Sequence, residues 1–261
     1  MIALLLVFPA LATPLAWNWD ASVSHRYHVQ ALVRLPTASW QNIPNGPSAR
    51  LMDLRLNLLL RCQAATNGRH STLQCAVDQA SPEVHVHDAD ADMAHPLAIA
   101  LQGMWEEASF SVRVGDDGVL SRFHGEGPDA LGNDLLRATA SCLEVVHPET
   151  PADVWMQKQS ITQRPLRLTH EIQQQTDDHI DVLVFPTRES RSVQYARRYT
   201  FSRNGYLQSS MHVYSQTYPD TQPGFTPIYR EFVVCQSMAD DAAITLPAPG
   251  PADIEVPQTL P

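Results

Sequence analysis

The chain is short of positive charge. Its 261 residues hold 18 Lys+Arg against 28 Asp+Glu, for a formal net charge of −10. That balance excludes the basic stripe that non-specific nucleic-acid binding requires, and it excludes a polybasic membrane anchor. Lysine is nearly missing, since Lys158 is the only one. Long apolar runs are also missing. No stretch after residue 16 reaches the ~18 apolar residues that predict a membrane-spanning helix. The 11 glycines follow no period, which excludes a collagen-like repeat. None of the four cysteines sits in a CxxC spacing, so a zinc ribbon or a thioredoxin-like redox motif has no support. The chain contains no G-x-S-x-G, no H-E-x-x-H and no P-loop. No cofactor and no catalytic residue is assigned, and the chain is not read as an enzyme.

What is present begins with residues 1–16, MIALLLVFPALATPLA, an uncharged apolar run that ends in small residues. Ala10-Leu11-Ala12 gives an A-x-A cleavage pattern, so the run reads as a signal peptide, although it lacks the usual basic n-region. Arg and Ala dominate where Lys is absent, a composition that resembles GC-rich bacterial coding. The expected compartment is extracytoplasmic, periplasmic or secreted. Residues 239–261, rich in Pro, Ala and Asp and without period, are expected to be a disordered tail. A single domain over 17–238 remains.

An even cysteine count in an exported chain suggests disulfides. Residues 54–64 and 72–78 read as two strands around Thr66-Asn67-Gly68-Arg69, and a hairpin centred between Gly68 and Arg69 sets Cys62 opposite Cys75. Opposed Cβ atoms are ~4.5–5.5 Å apart, near bridging range. The competing reading is two small buried hydrophobes. If Cys62 and Cys75 pair, Cys142 and Cys235 remain for each other.

Most of the chain alternates with period two and reads as strands, at 25–34, 51–62, 83–87, 97–101, 109–114, 119–123, 166–172, 179–185, 192–203, 206–218 and 228–236. Asn204-Gly205 is the strongest turn signal, because a type I′ turn needs positive φ at both central residues. One helix is predicted, over 128–146. Leu131, Leu135, Ala138, Cys142 and Val145 form one stripe on it, widened by Leu136, Thr139, Leu143 and Val146. So wide an apolar surface means burial on most sides. The predicted fold class is mainly β (α+β): an antiparallel sheet curled into a barrel or half-barrel around one central helix.

FSVRVGDDGVLSRF followed by NDLLRATASCLEVV resembles the N-terminal barrel domain of the large lipid transfer proteins: vitellogenin, apolipoprotein B and the microsomal triglyceride transfer protein. Arg137, Ser141 and Leu143 fall on the family's helix pattern. Asp134 stands where Asn is usual, and Glu144 where Gln is usual. About 35 residues carry the likeness. It implies a barrel closed around a helix and a role in binding lipid or another apolar ligand. The family's large helical domain and lipid-cavity sheets have no counterpart in this chain, so a docking module for a protein partner is the alternative. The outline is also similar to the bacterial periplasmic lipoprotein carriers.

Tyr195, Tyr199 and Phe201 share one face of the 192–218 hairpin and, in an ideal two-residue register, oppose Tyr214, Ser210 and Gln208. Tyr195, Tyr199, Phe201 and Tyr214 are the candidate ligand residues, against the plainer reading of cross-strand pairing. In VHVHDADADMAHP (84–96), His85, His87 and His95 are metal-type ligands beside Asp88, Asp90 and Asp92. The calcium-loop spacing then fails, because Met93 stands in place of Gly and Ile99 in place of Glu. No metal is assigned, and a solvated acidic loop is the expectation. Trp17, Trp19 and Trp40 are candidates for a contact patch or lid.

Overall fold

The computed structural model describes residues 23–36, 51–67, 70–87, 94–127, 130–148, 152–158, 166–188, 193–202, 205–217, 228–239 and 242–260. The leader-like run, the three tryptophans and the Asp88, Asp90 and Asp92 cluster lie outside them.

Alternation dictates most of the strands. They are β1 (Ser24–Pro36), β2 (Leu51–Asn67), β3 (His70–Val86), β4 (Ser109–Val114), β5 (Leu120–Glu126), β6 (Val154–Lys158), β7 (Arg167–Gln175), β8 (His179–Pro186), β9 (Val193–Ser202), β10 (Leu207–Thr217), β11 (Ile228–Met238) and the two-residue β12 (Gly250–Pro251). The strands β1 to β11 form one antiparallel sheet in the order β5-β4-β3-β2-β1-β11-β10-β9-β8-β7-β6. Every neighbouring pair but one joins strands consecutive in sequence; the exception is β1 and β11, which meet across about 200 residues.

The expected barrel closure is corrected. The sheet ends on β5 and β6, which do not pair with each other among the described residues. Both are short, and between them the chain leaves the sheet to form α2 (Ala130–Leu143). α2 packs against β1, β4, β5, β10 and β11.

The separate strands expected at 72–78 and 83–87 are one strand, β3, which runs 17 residues beside β2. A shift in pairing between Leu59 and Leu60 absorbs one extra residue at Asp78 and keeps both apolar sets on the same face. The β2–β3 turn has the expected register, Asn67 pairs with His70, and Cys62 faces Cys75 in a disulfide. Cys142 and Cys235, expected to bridge each other, are instead free thiols, both buried. Cys142 sits in α2 and uses its thiol as a hydrogen-bond donor to strand carbonyls.

The strand expected at 97–101 is a helix, α1 (Ala94–Trp105). Five alternating apolar residues cannot be told from a helical segment by period alone. Over the longer window Ala94, Leu97, Ala98, Leu101 and Trp105 repeat at helical spacing, and this is the stripe that packs on β3. No described helix is long and apolar enough to cross a membrane.

The tail expected to be disordered is also corrected. Residues 242–260 run along the outer face of the sheet. β12 pairs in parallel with Glu83 and Val84 of β3, the Arg55 guanidinium donates to the Asp253 carbonyl at 3.4 Å, and Ser81 donates to the Pro247 carbonyl. Ile254 and Val256 are buried against Leu32, Val213 and Phe232, which alternation points away from the main core. Composition alone hid this, because the apolar stripe that receives the tail is spread over three strands.

Candidate functional site

The inner face changes character along the sheet. From β1 it presents Tyr27, Val29, Ala31 and Val33, and from β2 Leu54, Leu56, Leu58 and Leu60. Past β11 the same alternation presents Glu231 and Cys235, then Ser210, His212 and Tyr214 from β10, then Tyr195, Arg197 and Tyr199 from β9. Charged and polar groups therefore share the interior with the C-terminal end of α2.

Arg197 is the centre of this group, with 1% of its surface exposed. Its Nε donates to Ser210 Oγ at 3.1 Å, and Nη2 donates to the Cys142 carbonyl at 3.1 Å and to the Glu144 carbonyl. Nη1 lies 3.7 Å from the Glu144 carboxylate, and the guanidinium sits over the Tyr199 ring at 4.7 Å. The last carbonyls of a helix have no partner within it and attract cations. The last turn of α2 carries no basic residue of its own, so β9 supplies one.

The chain beyond α2 is held from two further sides. The Tyr199 hydroxyl donates to the Val146 carbonyl at 2.8 Å, and the Leu120 amide donates to Glu144 Oε1 at 2.9 Å. Gly118, at φ +80°, brings the β4–β5 turn so near that a Cβ there would stand 1.8 Å from the Val145 carbonyl oxygen. The His147 amide donates to the Asp117 carbonyl at 3.1 Å in the same contact. Residues 142–147 are thus clasped between the β4–β5 turn and β9.

Burial sets the electrostatics. Desolvation pushes the Glu144 carboxyl up to about 7 despite the Arg197 charge beside it. Desolvation, helped by Arg197, pushes His170 down to about 3, so this imidazole is neutral. It stacks on Trp155 at 5.0 Å, with Nδ1 3.4 Å from the Tyr199 hydroxyl. For His212 burial disfavours the cation, but the neighbouring Cys142 and Glu231 outweigh it and push the pKa up to about 9. His212 Nε2 lies 3.2 Å from Glu231 Oε1, and Tyr229 donates to the other carboxylate oxygen.

The predicted ligand aromatics are brought together on one face. Tyr195, Tyr199 and Phe201 are 6%, 1% and 2% exposed and belong to the main core; Tyr214 is half-buried, edge-on to Tyr229 at 6.1 Å. Tyr195 opposes Tyr214 and Tyr199 opposes Ser210, as the ideal register predicts. Phe201 opposes Leu207 instead of Gln208. The turn closes earlier than expected, with the Gly205 amide donating to the Ser202 carbonyl, and a bulge at Gln208 restores the register. Arg197, Glu144, His212, Glu231 and His170 were not anticipated. Their signal was an arginine at an inward position between two tyrosines, Tyr195 and Tyr199.

The metal candidates diverge. The His85 and His87 rings meet edge to face at 4.6 Å, and His87 Nε2 lies 2.9 Å from Asp53 Oδ2. Asp53 is already held by Arg34 through two bonds of 2.8 and 2.7 Å. His95 is on α1, beside Gly250 of the tail. No group of three or more His, Cys, Asp or Glu able to hold a metal exists among the described residues. Two open grooves lie on the outer face. One, of about 590 Å³, is lined by Arg61, Gln63, Gln74, Ser111, His124 and Glu126; the other, of about 450 Å³, lies between α1, β3 and residues 244–247 of the tail. The first lining is mixed, with Cys75, Ala76 and Phe110 among its residues, and the second is mainly polar.

No protein family and no curated protein matches the chain by sequence. A solved structure described as lipid–protein interactions in lipovitellin matches 89% of this chain with a TM-score of 0.56 at 9% identity. The chain spans about 27% of the length of that protein. The likeness is one of fold.

Proposed function

We propose that the chain is an exported, non-catalytic binding module for lipid or another apolar ligand, with its sheet curled around α2. The observation that carries this reading is the fold likeness to lipovitellin over 89% of the chain, in a structure described by its lipid–protein interactions. The curl has its own support. α2 touches β5 and β4 as well as β11 and β10. In a flat sheet β5 and β10 would stand roughly 29 Å apart, six spacings of ~4.8 Å, whereas a helix with side chains is ~10–12 Å across. A rolled sheet brings both flanks to one helix. The Cys62–Cys75 bridge and the leader-like residues 1–16 support export. The ligand meets the rim of the inner face at Tyr214 and Tyr229, where the aromatic row reaches half-buried positions. On that face Arg197 and Tyr199 hold the chain beyond α2, and His212 is paired with Glu231.

A second reading is favoured by a specific observation. Tyr195, Tyr199 and Phe201 are so fully packed that the interior has the character of a solid core. The module would then dock a protein partner through an outer surface. Native mass spectrometry of the purified full chain, paired with titration of a fluorescent fatty acid, separates the two. Co-purifying lipid and saturable uptake support lipid binding. A clean apo mass with no uptake overturns it in favour of docking.

A further inference from the structure

Two thiols meet inside the polar half of the interior. Cys142 lies on α2 and Cys235 on the inner face of β11, both at 0% exposure, where α2 packs against β11. The Cys142 sulfur is 3.4 Å from the Ser210 carbonyl and 3.7 Å from the Val233 carbonyl. Ser210 is the residue paired with Cys235 across the β10–β11 ladder, and Val233 is two residues before it. The helix thiol is therefore aimed at the strand position that the other thiol occupies. His212 is the next inward residue of β10 after Ser210.

We propose that Cys142 and Cys235 are a convertible dithiol, oxidised by a disulfide-bearing thiol oxidant to a bridge that ties α2 to β11. One thiolate attacks the oxidant disulfide and releases one thiol; the second thiolate attacks the mixed disulfide and releases the other. Two protein thiols and one disulfide become one protein disulfide and two thiols, with no other reagent. Cys62–Cys75 spans two neighbouring strands and a short turn, so it fixes a hairpin. The second bridge would span 93 residues in sequence and fix the helix to the sheet. Since both sulfurs are covered, oxidant reaches them only when the clasp on residues 142–147 opens. The rate of bridging therefore reports opening of α2, and the bridge ends it. This inference stands apart from the ligand reading, since it needs neither lipid nor partner.

The full chain is incubated with oxidised glutathione, with and without sub-denaturing urea, then denatured in alkylating reagent and mapped by mass. Two alkylatable thiols before oxidation, none after, and a Cys142–Cys235 linked peptide are expected. The bridged protein should melt on the order of 10 °C higher, the gain expected from closing a long loop in a domain of this size. Tyr199→Phe removes the bond to the Val146 carbonyl and should speed bridging about fivefold, as loss of one buried hydrogen bond implies. The Cys142→Ser/Cys235→Ser protein should melt at one temperature with or without oxidant. Persistence of two alkylatable thiols in the urea arm, a bridge to Cys62 or Cys75, or an unchanged melting temperature on bridging overturns the proposal.

Discussion

The two halves of the inner face obey one alternation and bury different chemistry. On β1 and β2 every inward residue of the central run is apolar and buried in the main core. On β9–β11 the inward positions carry Arg197, His212 and Glu231, which bind particular atoms at fixed distances. The first half makes the sheet worth forming. The second fixes where α2 ends on it, because hydrogen bonds have direction and hydrophobic burial does not. Specific placement has a cost, since each charge left without its partner in such an interior is strongly destabilising.

The sharpest way to break this comparison is Arg197→Met. It keeps an unbranched apolar stem but removes the guanidinium, strands Glu144 and frees the α2 carbonyls, so urea denaturation should show a loss of about 3–5 kcal/mol. Adding Glu144→Gln to Arg197→Met should recover part of that loss. If the double variant is no better than the single one, the charge pair is not what matters. Next in size is the apolar half. Leu58→Ala should lose about 3 kcal/mol from transfer and cavity terms, with no change in the shape of the pH–stability curve.

The pH profile sharpens the contrast further. Glu144 holds its proton more tightly folded, at about 7 against an ordinary 4.5, so its contribution is complete at low pH and is lost as pH rises through about 7. His170 is held neutral, at about 3 against an ordinary 6.5, so its contribution is present above 6.5 and lost as pH falls toward 3. The two limbs oppose each other between pH 4.5 and 6.5. In Glu144→Gln the opposing carboxyl limb is gone, so below pH 6.5, where His212 is charged whether folded or unfolded, stability should fall on acidification by an amount on the order of 3 kcal/mol. Equilibrium unfolding from pH 7.5 to 4.5 checks it, and a flat profile in that variant would sink the assignment. The smallest effect belongs to the outer face: Ile254→Ala should cost about 1–2 kcal/mol, less than a fully enclosed leucine because the tail covers the site from one side.

Strand period and turn chemistry made much of the sheet legible in advance. The Gly68–Arg69 turn fixed the facing of Cys62 and Cys75 by counting alone, and β7 to β11 lie where alternation places them. α1 was misread because Leu97–Leu101 is too short to separate a period of two from one of 3.6. The tail was misread because Ile254 and Val256 are isolated in a Pro-rich stretch, and their receiving residues Leu32, Val213 and Phe232 are far apart in sequence. The aromatic row Tyr195, Tyr199 and Phe201 was legible, but its surroundings were not. Glu144 is brought to Arg197 by the return of α2 to the sheet, a contact between residues 53 apart that no local pattern encodes.

The β1–β11 seam has a consequence for how the molecule is made. Tyr27 pairs with Ser237 and Arg34 with Arg230, in the middle of the sheet. β1 to β5 pair in sequence order, and so do β6 to β11, so each half can assemble from neighbours in sequence. Joining them waits until residue 238 is available. Contacts of such separation are slow to form because the intervening chain must first be closed. The last pairing to form is therefore expected to be β1 with β11, which joins two half-sheets at the centre of the sheet.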